Sequence, residues 1–322
     1  MRTLFSSTLL LSVCAGVAAA SDARVGRGAE LKSIASLGGV GGIAGKGFWN
    51  EYYRQAEEAM EQEWKCIFPL MAEANFHSVF EVAAGACRNT EKLLPLAGKI
   101  VVSDVDPEAI AKCKQRFKGR PEEKKISYVV VDGTEALPLA DSSITFVYQF
   151  DAGVHFHPEL IRSYLKEFAR VLKPGGTGFF HHSNLGALKL KELGVRHIHL
   201  DVRDNPSARS NMTRAAFASF AREAGLEMTC HPTFNKISDI RKVIGRVESD
   251  LPQNRRALPC SDLDAFAIFR KPGGARHRKI NPEVCPTRVE AGTCRTGGVS
   301  PTTGGWAVTT EPAGIRFCFP TV

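Results

Sequence analysis

Two acidic residues end short apolar segments and together could bind a nucleotide-like cofactor. Glu81 closes the first segment, after which the chain turns through the small residues 83–86. A buried strand that turns through small residues into a helix brings backbone N–H groups and a helix N-terminus close to a bound ligand. Asp104 ends the next apolar segment, where a carboxylate can accept hydrogen bonds from both hydroxyls of a ribose. Asp132, directly before Gly133, adds an acceptor beside the position expected for adenine.

A second group of polar residues follows the next two predicted strands. Asp151 and His155 come after the strand at 144–150, and residues 181–184 lie at the end of the fifth strand. An open parallel sheet gathers its substrate at the carboxyl ends of its strands. We therefore predict His155 and His182 as candidate general bases and Asp151 as an orienting or binding residue. The competing interpretation is that any one of these histidines is only a helix lead-in or a core residue.

A polar insert follows the fifth strand, between residues 185 and 211. Arg203, Asn205 and Arg209 in this insert are predicted to bind an anionic or polyhydroxylated substrate. The alternative is a solvated loop with no such role, since polar connecting segments are common on protein surfaces.

Histidine and aspartate residues occur close together at two places, and we predict no metal at either. Neither group supplies all the ligands that a metal site needs at the spacing such sites show. The two groups are Asp151 with His155 and His157, and His197 with His199 and Asp201.

Short apolar segments alternate with helical patterns along most of the chain. Strands covered by helices on both faces read as continuous apolar runs, and this alternation predicts a parallel sheet. An amphipathic helix is predicted over 48–71, and further helices at 89–96, 107–117, 158–172 and 213–224. Strands are predicted at 78–82, 100–104, 126–131, 144–150, 177–181, 226–234 and 263–270.

The segment from Glu81 to Cys87 resembles the acid-x-Gly-x-Gly-x-Gly loop of class I S-adenosylmethionine-dependent methyltransferases. The turn Leu172–Gly176 and the lead-in Pro138–Ile144 are similar to those that this family places before its fifth and fourth strands. The resemblance extends over roughly residues 48–270. It implies an α/β, doubly wound, Rossmann-like fold with a mostly parallel seven-stranded sheet and an antiparallel last strand.

The same resemblance implies S-adenosyl-L-methionine as the cofactor. The residues that it places against the cofactor are Glu81, Ala83, Gly85, Asp104, Asp132 and Gly133. The chain departs from the family at the first and third glycines of the loop, which are Ala83 and Cys87. Only glycine takes left-handed conformations freely, so these departures leave open an inactive, methyltransferase-like binding protein.

A nicotinamide-dependent oxidoreductase is the other alternative, because it shares the strand, the glycine loop and the ribose acid. Its fingerprint needs a third glycine for close helix packing, and this chain has Arg88 at that position. We therefore favour a methyltransferase acting on an oxygen or nitrogen of a small-molecule acceptor.

A nucleic-acid partner is not predicted, although the chain has a formal net charge of +8. Residues 271–322 carry seven Lys/Arg against three Glu, so half of this charge falls in one segment. No basic stretch is interleaved with aromatic residues, and the sequence Gln149–Ala152 lacks the Pro-Pro-aromatic motif of base-modifying methyltransferases. The oligomeric state is not readable from the sequence.

The domain organisation predicted from the sequence has four parts. Residues 1–20 read as a signal segment, 21–46 as a linker, 47–271 as the methyltransferase domain and 272–322 as a disordered tail rich in Gly, Pro and Thr. The apolar run after Arg2 ends in small residues that suit signal-peptidase cleavage, so we predict the secretory pathway or an extracellular location. An organellar transit peptide is the alternative. No stable membrane insertion is expected.

The nine cysteines form no C-x-x-C pair, which argues against a zinc ribbon or a thioredoxin-like site. Cys66, Cys87 and Cys113 fall in helical or loop patterns and are expected to be small buried hydrophobic residues. The cysteines of the tail could form a disulfide, and the sequence does not decide whether they do.

Overall fold

In the described residues nine strands form one sheet. The structure is a computed structural model that describes residues 47–132, 137–188, 209–235, 262–274, 285–286, 288–290, 308–311 and 314–317. The strands are β1 (Ser78–Glu81), β2 (Lys99–Asp104), β3 (Ile126–Val130), β4 (Ile144–Gln149), β5 (Leu172–Ser183), β6 (Glu227–Cys230), β7 (Thr233–Asn235), β8 (Asp264–Arg270) and β9 (Arg288–Glu290). Strand β1 pairs with β2 and β4.

The strand order is β3-β2-β1-β4-β5-β8-β7-β9, with β6 also paired to β8. Strands β1 to β5 pair in parallel, and β8 runs antiparallel to β5, β6 and β7. The mostly parallel, doubly wound α/β fold with an antiparallel strand late in the chain is therefore confirmed. Every residue of β1 and β4 is buried, as expected for parallel strands covered on both faces.

The sheet has nine strands rather than the seven expected, for two local reasons. The segment predicted as one strand at 226–234 is interrupted at His231 and Pro232 and forms β6 and β7. Proline has no N–H to donate to a strand ladder, which accounts for the break. The second reason is β9, which pairs in parallel with β7.

Five α-helices are found in the described residues, and each begins within one residue of its predicted start. The helices are α1 (Gly47–Ile67), α2 (Arg88–Leu93), α3 (Pro107–Phe117), α4 (Pro158–Val171) and α5 (Arg214–Glu223). Thr213 caps α5, because its hydroxyl accepts the Ala216 N–H at 3.0 Å, and Gly225 follows with φ of 79°. Pro107 occupies the first turn of α3, where its missing N–H is not needed.

Alternate residues of β4 and β5 face opposite sides of the sheet and build two cores. Phe146 and Phe179 pack with residues of α1 and α3 on one face. Val147 and Phe180 pack with residues of α4 and α5 on the other. Full burial of one such phenylalanine contributes about 2 kcal/mol, so both faces add to the stability of the sheet.

Cys66, Cys87 and Cys113 lie in the buried hydrophobic core, as expected, and all three are also disulfide-bonded, which the sequence did not indicate. Cys87 and Cys113 form a disulfide, and Cys66 is disulfide-bonded as well. A further disulfide joins Cys230 to Cys285.

Part of the segment expected as a disordered tail is structured. Cys285 is tied to β6 by its disulfide, and β9 extends the sheet from within residues 272–322. In the same segment, Val308–Glu311 and Gly314–Phe317 form a two-stranded antiparallel pair, β10 and β11. Among the described helices, none is long and apolar enough to cross a membrane.

Candidate active site

The loop after β1 has an alternating left-handed backbone. Ala83, Gly85 and Cys87 have φ values of 52°, 57° and 64°, respectively. These are the three positions that correspond to the glycines of the family loop. The left-handed conformation costs a non-glycine residue roughly 1–2 kcal/mol, so residues of this kind persist only where the surroundings hold them. The loop therefore has a left-handed backbone at two positions, Ala83 and Cys87, where glycine would take that conformation more easily.

Backbone hydrogen bonds fix this loop against its two neighbouring strands. The Val82 N–H donates to the Tyr148 carbonyl in β4 at 2.9 Å, and the Ala84 N–H donates to the Ser103 carbonyl in β2 at 3.0 Å. The Cys87 N–H donates to the Ala84 carbonyl at 2.9 Å, which closes a tight turn inside the loop. The loop is thus held at both ends and at its centre.

Asp104, at the carboxyl end of β2, is bonded directly to the loop. Its Oδ2 accepts the Gly85 N–H at 2.9 Å, and its Oδ1 accepts the Asp106 N–H at 3.0 Å. Burial raises the pKa of this carboxyl, and the backbone donors partly offset the effect. An ionised carboxylate has about four lone-pair positions, so Asp104 retains acceptor capacity for ligand hydroxyls. Asp132 is exposed just after β3, and Gly133 lies outside the described residues.

Glu81 is buried beneath the start of α2. The Thr90 hydroxyl donates to its Oε2 at 2.5 Å, whereas its Oε1 has no hydrogen-bond partner among the described residues. Burial raises the pKa of Glu81 to about 8. At neutral pH this carboxyl is mostly protonated, and a cation or a donor placed near it would favour its ionised form.

A salt bridge connects the first residue of α2, directly after the loop at residues 82–87, to the segment that follows β4. Arg88 Nη2 lies 3.1 Å from Asp151 Oδ2, and both side chains are almost fully buried. Asp151 is left-handed, with φ of 71°, and its N–H donates to His181 Nδ1 at 3.2 Å. The predicted residue Asp151 is therefore in contact with both the loop and β5.

His181 is at the centre of a buried polar chain. Because its Nδ1 accepts a hydrogen bond, the neutral ring carries its proton on Nε2, which faces Asp264 Oδ2 at 3.6 Å. Asp264 also binds the Arg209 guanidinium at 2.9 and 3.2 Å. Burial acts to raise the pKa of Asp264, but the Arg209 charge and His181 outweigh it and lower the pKa to about 2.

His182 faces the opposite side of the sheet from His181. Its ring stacks on Phe217, with centroids 4.5 Å apart, and its Nε2 lies 2.7 Å from Nε2 of His231. Its Nδ1 lies 2.7 Å from the Ser183 carbonyl, which makes Nδ1 the donor and leaves Nε2 to accept from His231. Burial lowers the pKa of His182 to about 3. His182 is thus separated from Asp151 by the sheet.

His155 lies in a short 3-10 turn, Gly153–His155, that rests on the end of β5. A Cβ at Gly153 would come 2.4 Å from the His181 carbonyl oxygen, so only glycine lets the turn approach so closely. The structure therefore brings His155 to the same strand ends as Asp151.

The predicted substrate residues fall mostly outside the described part of the chain. Arg203 and Asn205 are in the segment that is not described, and Arg209 is bound to Asp264. Among the described residues, no three or more His, Cys, Asp or Glu side chains form a group suited to a metal ion.

The sequence reasoning missed several contacts of the site. The most consequential are the Arg88–Asp151 salt bridge, the Cys87–Cys113 disulfide and the partners of His181 and His182. Only the disulfide had a signal in the sequence, namely a cysteine at a position where the family has glycine.

Residues 79–176 match the family model for a methyltransferase domain. This segment is therefore similar to methyltransferase domains, and the resemblance to class I methyltransferases is confirmed there. The match runs from β1 into β5 and includes the left-handed loop and Asp104. No curated protein matches the chain.

Several solved structures are similar to this chain, and one of them reaches a TM-score of 0.50. The YcgJ protein from Bacillus subtilis is 18% identical, with a TM-score of 0.50, and the match covers 66% of this chain and 99% of that one. A candidate sarcosine dimethylglycine methyltransferase from Galdieria sulphuraria is 17% identical, with a TM-score of 0.48 and coverages of 66% and 86%. A methyltransferase in complex with the Trm112 activator of Haloferax volcanii is 17% identical, with a TM-score of 0.46 and coverages of 70% and 97%.

Proposed function

We propose that this protein transfers the methyl group of S-adenosyl-L-methionine to an oxygen or nitrogen of a small molecule. The observation that carries the proposal is the loop after β1, in which Ala83, Gly85 and Cys87 are left-handed while the Gly85 N–H binds the Asp104 carboxylate. A strand-to-helix turn of this shape, next to a strand-end acid, suits the adenosine part of such a cofactor.

The residues around the loop fit the chemical groups of this cofactor. Asp104 has acceptor capacity for the ribose hydroxyls, and Asp132 stands exposed on the side proposed for the adenine. Once a nearby positive charge of the ligand has favoured its ionised form, Glu81 would offer its unsatisfied Oε1 as an acceptor to the sulfonium or the ammonium group. When bound, the cofactor supplies an electrophilic methyl group on a sulfonium.

The strand ends beside the loop would position the methyl acceptor. Displacement at a methyl group is in line, so much of the rate enhancement can come from alignment of nucleophile and methyl. We propose that Asp151, fixed by Arg88 and by His181, orients the acceptor, and that His155 takes its proton. His182 was predicted from the sequence as a candidate base. We propose instead that it stabilises β5 by packing on Phe217, on the other face of the sheet.

The substrate is proposed to be small because the sequence has no basic stretch interleaved with aromatic residues and no Pro-Pro-aromatic motif after β4. Arg203 and Asn205 remain candidates for contact with it. Arg209, which the sequence placed in the same role, would contribute through Asp264 and His181.

We propose a secretory or extracellular location for the protein. Disulfides form and persist in oxidising compartments, and the Cys87–Cys113, Cys230–Cys285 and Cys66 bonds support this proposal. An organelle reached by a transit peptide is the alternative. The cofactor would have to be imported into either compartment.

The second candidate function is a methyltransferase-like protein that binds ligands without catalysis. Ala83 and Cys87 favour it, because each places a side chain where a glycine would leave room for a ligand against the backbone.

Calorimetric titration of the full chain tests the proposal. S-adenosylmethionine, S-adenosylhomocysteine and NAD are titrated into the wild type, into Asp104→Ala and into the control Asp141→Asn, whose carboxylate is exposed. The first two ligands should bind the wild type and the control, and Asp104→Ala should lose binding. If neither ligand binds the wild type, the proposed function is wrong, and a preference for NAD would favour the oxidoreductase.

A further inference from the structure

The Cys87–Cys113 disulfide joins the cofactor loop to α3. Cys87 is the residue directly before α2 and has left-handed φ and ψ of 64° and 32°. Cys113 lies in the middle of α3, and its Cα is 5.2 Å from that of Cys87. Both residues are fully buried. The bond thus crosses from one strand-to-helix unit to the next, at the point where the loop turns into a helix.

Cys87 occupies a backbone conformation that its side chain disfavours. The left-handed region is less favourable for a residue with a Cβ than for glycine. In a loop held only by hydrogen bonds, such a residue can return to a right-handed or extended conformation. A covalent tether to a rigid helix removes that freedom, because α3 is itself packed on β2 and β3.

The disulfide also reaches the central residue of the loop. Cys113 Sγ lies 3.2 Å from the Gly85 carbonyl oxygen, a packing contact since a disulfide sulfur has no proton to donate. The same Gly85 donates its N–H to Asp104, the acid proposed to bind the ribose. Gly85 is therefore contacted at both of its backbone polar groups, at the carbonyl by the disulfide and at the N–H by Asp104.

We propose that Cys113 is a positioning residue for the cofactor, which through its disulfide holds Cys87 in the conformation that a glycine supplies elsewhere in the family. This proposal rests on the proposed function, because it assumes an adenosyl sulfonium cofactor on this loop. Opening of the bond lets Cys87 leave the left-handed region in the free protein. Part of the binding free energy then restores the loop, and the measured affinity falls. Cofactor affinity therefore depends on the oxidation state of this pair.

Two variants that both lack the disulfide separate this role from general stabilisation. Cys87→Ala/Cys113→Ala and Cys87→Gly/Cys113→Ala differ only in one methyl group at position 87. We expect the alanine variant to bind S-adenosylhomocysteine about tenfold more weakly than the wild type, in line with the cost of a left-handed alanine. The glycine variant should bind within about twofold of the wild type, because glycine takes this conformation without the tether. Calorimetry on the full chain gives the affinities, and thermal unfolding monitors the fold.

Each result separates this inference from the proposed function. Loss of binding by the wild type itself would contradict the proposed function. If the wild type and the alanine variant bind equally, the function stands and the positioning role is wrong. Equal weakening in both variants would also overturn it, because the disulfide would then act other than through the conformation of residue 87.

Reduction of the wild type provides a second measurement if the alanine variant does not fold. The wild type should lose affinity about tenfold when a mild phosphine opens its disulfides, and it should recover on reoxidation. The Cys87→Gly/Cys113→Ala variant is the control, since it retains Cys230–Cys285 and the bond of Cys66. A similar loss of affinity in this control would contradict the proposal.

Discussion

Arg88, the first residue of α2, forms a salt bridge of 3.1 Å with Asp151, the second residue after β4. Two almost fully buried charges of this kind are each strongly dependent on the other, because neither is solvated by bulk water. The bridge fixes the spacing between the proposed cofactor loop and the proposed acceptor site.

A double-mutant cycle on this pair should show strong coupling. Arg88→Gln or Asp151→Asn alone leaves one buried charge without its main counter-charge, at a cost of about 3–5 kcal/mol. The double variant removes both charges and should cost less than the sum of the two. Denaturant unfolding of the four proteins measures the free energies. Additive effects would show that the two charges act independently.

Glu81 should make the folded state less stable as the pH rises toward 8. Its pKa is about 8 in the folded protein, against about 4.5 in the unfolded chain. Between these values the folded state binds more protons, so the free energy of unfolding falls with rising pH by up to about 1.4 kcal/mol per pH unit. Above pH 8 this contribution is constant.

The variant Glu81→Gln tests this expectation, because its amide keeps the size of the side chain and cannot ionise. In the wild type the free energy of unfolding should decline between pH 4.5 and 8, and in the variant this decline should be absent. Urea unfolding across this pH range measures both. An unchanged profile would place the decline elsewhere in the protein.

The His182–His231 pair should make the protein sensitive to acid. Burial lowers the pKa values of these rings to about 3 and about 2, well below the ordinary value of 6.5. The unfolded chain binds protons first as the pH falls below 6.5, so stability is lost from there down to about pH 3. The variant His182→Phe/His231→Phe should show a smaller loss. The exposed His77→Gln is the control, and its profile should match that of the wild type.

The Arg209–Asp264 pair should be needed for folding rather than only for binding. Arg209→Met leaves the buried Asp264 carboxylate without its guanidinium partner and should cost about 3–5 kcal/mol. The half-exposed pair Arg270–Glu227 gives a matched comparison, and Arg270→Met should have little effect. Thermal unfolding of both variants checks this. Equal effects would contradict the importance of burial.

The helices, the strands and the two strand-end acids could be predicted because their signals lie in neighbouring residues of the sequence. Apolar runs, the proline and glycine boundaries and the strand-end acids Glu81 and Asp104 are visible in neighbouring residues of the sequence. The sequence showed that Ala83 and Cys87 replace glycines of the family loop, but it did not show that the backbone there is left-handed. These local signals placed both sides of the proposed site at one edge of the sheet.

The contacts within the site depend on pairs of residues far apart in the chain. His181 and His182 exchange sides of the sheet if the register of β5 shifts by one residue, and the sequence alone does not fix that register. Arg209 meets Asp264, and Cys87 meets Cys113, only because the sheet brings their elements together. No local pattern encodes such pairings.

The position of β8 between β5 and β7 sets the order in which the sheet can be completed during synthesis. Strands β1 to β5 are finished once Ser183 has emerged, but β5 keeps an open edge until Asp264–Arg270 has been made. An unpaired strand edge is a template for pairing with other chains. The growing polypeptide therefore carries a reactive edge for the time needed to make the intervening residues, and chaperones that cover strand edges would act during that interval.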